Sequence, residues 1–132
     1  MVLACVIFHV AGLVYLIDLM QSTQEKLGNQ SRRIQAVVVL NVAVLVIICL
    51  HTIEIWLWAL LYNELGEFES FSQALYFSGI TATTVGYGDV TLSSDWQLLA
   101  TFEAMGGLIL FGASTAFFFE LVRRMVGRPG NQ

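Results

Sequence analysis

Residues 81–90 read TATTVGYGDV. The stretch holds two glycines, a tyrosine, several hydroxyl side chains and a carboxylate, between two strongly apolar segments. Upstream, residues 34–62 (IQAVVVLNVAVLVIICLHTIEIWLWALLY) carry a single charge, Glu54. Downstream, residues 96–122 (WQLLATFEAMGGLILFGASTAFFFELV) carry two, Glu103 and Glu120. Each block exceeds the roughly 20 residues that a helix needs to cross the hydrocarbon core. The whole chain is 57% hydrophobic and 12% charged, and a soluble domain carries about twice that charge. These proportions describe a membrane protein.

A third apolar block, Val2 to Ile17, is shorter. A signal peptide wants a basic start and a small-residue cleavage site. Met1-Val2-Leu3 and Ile17-Asp18-Leu19-Met20 supply neither. Residues 1–20 are therefore read as a peripheral transmembrane helix and residues 21–33 as a linker. In that linker Gly28-Asn29-Gln30-Ser31 reads as a turn, with Ser31 as helix N-cap. The six basic residues are Lys26, Arg32, Arg33, Arg123, Arg124 and Arg128. All lie in the linker or at the end of the last block, which places both on the cytoplasmic side. Residues 63–95 hold no Lys or Arg and five acidic residues, Glu64, Glu67, Glu69, Asp89 and Asp95. They belong outside. Three spans then put the N-terminus outside and the tail, 127–132, in the cytoplasm. The net charge of −4 is segregated across the membrane and points to no nucleic-acid partner.

Between the two long blocks, FSQALYFSGITAT has apolar or aromatic residues at Phe71, Leu75, Tyr76 and Ile80. That spacing suits a helix of about three turns, too short to span. Such a segment enters the membrane part way and returns. Non-helical backbone at membrane depth must be buried in protein or line a watery path, so TVGYG lines a path. Gly86 and Gly88 lack Cβ and take positive φ without penalty. Alternating them with Val85 and Tyr87 lets successive carbonyls point one way, a ladder of hard oxygen ligands for a cation. The C-terminal dipole end of the short helix favours the same charge.

Thr83-Thr84-Val85-Gly86-Tyr87-Gly88-Asp89, set between two spans and behind a re-entrant helix, resembles the potassium channel pore family. The resemblance covers residues 34–126. It implies an all-α membrane protein: outer helix, pore helix with filter loop, and inner helix, here with an extra N-terminal helix. It implies K+ ligands from the carbonyls of Thr84, Val85, Gly86 and Tyr87, with the Thr84 hydroxyl at the inner end and Gly88 closing the filter. Thr83 would support the filter, Tyr87 would brace it from outside, and Asp89 would stand at the outer mouth. One loop per chain implies three further copies of the chain around the pore, in the lipid bilayer of a plasma or bacterial inner membrane. K+ is the transported ion, and no cofactor is implied. A non-conducting regulatory subunit and a weakly selective cation channel are the competing readings.

No GxxxxGK[ST], HExxH or GxSxG occurs, so an enzyme has nothing to rest on. Some family members place a carboxylate in the pore helix where this chain has Ile80, which leaves Asp89 without that partner. The first helix carries no arginine, so no voltage sensor is expected. With few residues after the last apolar block, no cytoplasmic sensing domain is expected. In the inner helix Gly107 is a hinge or a small residue that permits close packing. Thr115 and Phe119 share a face, the first to line a cavity and the second to gate the inner mouth. Phe117, Phe118 and Phe119 are consecutive, so some must meet lipid or other helices. His51 and Glu54 are i, i+3 and read as a hydrogen-bond network, and His9 as a packing residue or interhelical donor. Cys5 and Cys49 read as buried. Glu120 and Arg124 read as a surface pair. Glu54 lies eight residues before Tyr62 and Glu103 eight after Asp95, so both sit about 12 Å below the outer ends of antiparallel helices. At least one of them is expected to hydrogen-bond the pore helix behind the filter.

Overall fold

The computed structural model describes residues 1–27 and 31–126, the Arg32 side chain excepted. The predicted turn at Gly28-Asn29-Gln30 and the tail 127–132 lie outside the described residues. Four helices follow one another: α1 (Val2–Leu27), α2 (Arg32–Glu64), α3 (Phe71–Ala82) and α4 (Gln97–Val126). Among the described residues there is no strand. α1, α2 and α4 are long and apolar enough to cross a membrane, and α3 is not. The chain is an all-α, multi-pass membrane protein.

Two details differ from the sequence reading, one a boundary and one a cap. α1 runs on to Leu27, where a linker was expected from residue 21. The added turn, Gln21 to Lys26, is polar but contains good helix formers. Hydropathy marks the span; propensity carries the helix past it. Ser31 holds the N-cap position of α2, yet its side chain makes no capping bond.

The three long helices meet along one seam. Buried residues recur at three, four or seven: Cys5, His9, Leu16 and Met20 on α1; Val39, Ala43, Leu50, Glu54, Trp58 and Tyr62 on α2; Glu103, Gly106, Leu110, Ser114 and Leu121 on α4. Such spacing keeps one face of a helix against its neighbours. Each helix contacts the other two. Leu16 and Met20 pack with Val39, Ala43 and Leu121 at one end. Cys5, Trp58, Tyr62, Phe77 and Leu110 pack at the other. α1 therefore runs antiparallel to α2 and parallel to α4, on its own chain's pore helices.

α3 is only 12 residues long, about 18 Å. Ser70 caps it, accepting a bond from the Gln73 amide. Its inner face, Ala74, Phe77, Ser78 and Thr81, is buried. The loops on either side of α3 are tied by Glu67, which accepts bonds from the Ser93 amide at 2.7 Å and the Ser93 hydroxyl at 2.9 Å.

Candidate functional site

α3 ends at Ala82 and the chain turns into the loop Thr83–Asp89, every residue of which is exposed on the single chain. The loop is anchored to the end of the helix it leaves. The Thr84 amide donates to the Thr81 carbonyl and the Gly86 amide to the Ile80 carbonyl, each at 2.9 Å. The Thr83 hydroxyl bonds the Gly79 carbonyl at 2.6 Å. Every second residue then takes the left-handed conformation: φ is +61° at Thr84, +48° at Gly86 and +76° at Gly88, while Val85 and Tyr87 stay outside it. An extended strand of uniform φ turns successive carbonyls to opposite sides. Alternating φ cancels that reversal. Glycine takes the left-handed region freely. Thr84 does not, because it is β-branched, and its conformation costs about 1–3 kcal/mol. A rule based on glycines misses Thr84; the two-residue register through 84, 86 and 88 was the available signal.

At the outer end Asp89 accepts a bond from the Tyr76 hydroxyl at 2.8 Å. α3 thus offers Asp89 a phenol, one turn before Ile80. That bond raises the pKa of Tyr76 above its ordinary value.

Behind α3, Glu103 is 1% exposed. Its carboxylate accepts a bond from Tyr62 at 2.6 Å and lies 2.5 Å from the Ser78 hydroxyl, which also reaches the Ile55 carbonyl at 2.9 Å. One side chain of α4 therefore joins α2 to the middle of the pore helix. Glu54, expected beside it as filter support, makes no bond to α3. It faces His9 and His51. Depth is shared by the two carboxylates, but each residue turns a helix by about 100°, so equal depth does not mean equal facing.

Gly107 explains itself by a close approach. A Cβ there would lie 2.2 Å from the carbonyl oxygen of Ala82, the last residue of α3. α4 continues unbroken through Gly107. The listener on the other side is backbone, which cannot swing away as a side chain would. Gly107→Ala is expected to destabilise the fold by about 1–3 kcal/mol, the usual cost of overpacking. Thermal unfolding in detergent measures this, with Gly112→Ala as control, since nothing lies within 4 Å of a Cβ at Gly112. Equal melting of the two variants would show that α4 can back away freely.

Towards the other end of α4, Thr115 and Phe119 are exposed on one face, and the Thr115 hydroxyl bonds the Phe111 carbonyl. Phe117 and Phe118 pack inward against the Leu16–Leu121 cluster. Glu120 pairs with both Arg123 and Arg124 at 2.8 Å. Cys5 is buried, but Cys49 is exposed, contrary to expectation. It belongs to the outward apolar face of α2 with Leu45, Ile48 and Ile53. An apolar block in a membrane has an outward side as greasy as its inward one, so hydropathy does not separate them.

Neither a curated protein nor a solved structure matches the chain significantly. A family model described as ion channel matches residues 36–124, from the first turns of α2 through the re-entrant helix and loop to the last turns of α4. By that match, over a helix–loop–helix unit of this geometry, the chain belongs to the ion channel family.

Proposed function

We propose that the chain forms a potassium-selective channel as a homotetramer. Dehydrated K+ is held by the carbonyls of Thr84, Val85, Gly86 and Tyr87, with the Thr84 hydroxyl at the inner end. The observation that carries this reading is the left-handed φ at every second residue from Thr84 to Gly88. That alternation serves an aligned carbonyl column, which can replace an ion's hydration shell. It also accounts for the strain at Thr84, since sparsely populated backbone persists where function uses it.

One loop touches an ion from one side only. The loop is exposed on the single chain, and Tyr87 is 73% exposed. Backbone of this kind at membrane depth needs protein cover or a watery path. Four copies around an axis supply both: Tyr87 packs on a neighbour and the carbonyls face the axis. The carboxyl end of α3 points its negative dipole end towards the same place. Thr115 and Phe119 would then line the cavity and inner mouth. By the positive-inside rule the end of α1 with Lys26, the start of α2 with Arg32 and Arg33, and the end of α4 would lie in the cytoplasm. The Glu67–Ser93 loops then lie outside.

Flux from reconstituted liposomes tests the proposal. Purified protein is expected to run as a tetramer and to pass K+ far faster than Na+. Absence of flux from a well-assembled tetramer would favour a regulatory subunit. Equal flux of both ions would favour a weakly selective cation channel.

A further inference from the structure

Both histidines of the chain meet at one place in the helical seam. His9 of α1 is fully buried, and His51 and Glu54 of α2 are 8% and 6% exposed. Glu54 bridges the two rings: its oxygens lie 2.8 Å from His9 Nδ1 and 3.1 Å from His51 Nδ1. On the far side of the rings, Ser114 Oγ of α4 lies 2.8 Å from His9 Nε2 and 3.2 Å from His51 Nε2. Four side chains from three helices thus close a ring.

We propose that His9, His51 and Glu54 form a binding site for a divalent transition-metal ion of the zinc class, clamping α1 to α2, with Ser114 holding both imidazoles from behind. One ligand atom from each of the three residues lies within 4.8 Å of the others. Around a tetrahedral ion with bonds of about 2.0–2.1 Å, ligand atoms sit about 3.3 Å apart. The present separations, 2.8 Å from His9 to one Glu54 oxygen and 3.1 Å from His51 to the other, are shorter than that, so the carboxylate must shift to admit the ion. Two imidazoles and a carboxylate suit zinc, cobalt or nickel, not the hard ions magnesium and calcium.

The proton accounting supports the same assignment. Each ring must offer the metal an unprotonated Nδ1, so its hydrogen sits on Nε2. Both Nε2–H groups then donate to the two lone pairs of the Ser114 oxygen. Metal-bound histidines are characteristically held through their second nitrogen in this way. Where a neutral ring now carries its hydrogen on Nδ1, towards Glu54, binding of the ion moves that hydrogen to Nε2 by exchange, with no net proton release. Beside His51 a cleft lined by Ile47, Ile48, Phe111, Ser114 and Thr115 opens to the surface of the chain. The site does not depend on conduction or on assembly, since all its ligands come from one chain.

Cobalt titration of the full, untagged chain in detergent, stripped beforehand with a chelator, tests the site. The expected result is about one ion per chain with the visible ligand-field bands of tetrahedral Co2+, displaced by Zn2+. Glu54→Gln keeps a hydrogen-bonding group against both rings but loses the anionic ligand, and is expected to abolish the bands. Ser114→Ala is expected to weaken binding by about 10–100-fold while leaving the spectrum tetrahedral. His9→Gln should lose the bands as well; if it fails to fold, Glu54→Gln decides. No bound ion in the stripped and reloaded chain overturns the proposal. So do unchanged bands in Glu54→Gln, which would place the ion elsewhere.

Discussion

Gly86→Ala is expected to abolish potassium flux while leaving the chain assembled. Gly86 stands at φ +48°, and on the single chain nothing lies within 4 Å of where its Cβ would go. The cost is therefore in the backbone itself. An L-residue in the left-handed region costs roughly 1–2 kcal/mol, and a ring of four such loops would meet it four times. Thr84 already holds this conformation at a cost. The loop's cheapest relief is to rotate the peptide at residue 86 back to negative φ, which turns a carbonyl out of the column. The helical seam lies away from the loop, so helix content should persist, and with it at least part of the assembly. Liposome flux against a size measurement of the same preparation is the check. Selective flux at the unmodified level in Gly86→Ala would sink the carbonyl-ladder account.

Glu103→Leu is expected to loosen both the proposed tetramer and its proposed selectivity. Leucine strands the Tyr62 hydroxyl, which is fully buried and loses its acceptor at 2.6 Å. It also strips one partner from Ser78, which keeps the Ile55 carbonyl. An unpaired buried group costs about 1–3 kcal/mol, so Tyr62 carries most of the effect. Glu103→Gln should be milder, because its amide still accepts from one group and donates to the other. Melting of the assembled protein and the K+ to Na+ flux ratio are the readouts. Unmodified values of both in Glu103→Leu would mean that α3 is held in place without this carboxylate.

Much of this arrangement is legible in the residues. The long apolar blocks mark α2 and α4, and the positions of Phe71, Leu75 and Ile80 mark α3, because both signals follow from periodicity and length. Gly86 and Gly88 announce positive φ because glycine has no other reason to alternate there. What is not legible is azimuth. Which side of a helix a residue faces depends on its partners, and in a membrane the apolar pattern does not say where they are. That is why Glu54 faces away from α3, although its i, i+3 pairing with His51 is readable, why Cys49 faces outward, and why the part of Ser114 is not evident from the residues around it. Chain-distant meetings such as His9 with Ser114 leave no local trace.

The contact of Gly107 with the end of α3 makes the inner helix a lever. Its upper arm is pinned twice, at Glu103 through Ser78 and at Gly107 through Ala82. Its lower arm carries Ser114, and with it α1 through His9. The fulcrum thus stands under the foot of the loop. A sideways swing of the lower arm is resisted first by α1, and what passes the fulcrum presses on the Ala82 carbonyl, two residues before Thr84.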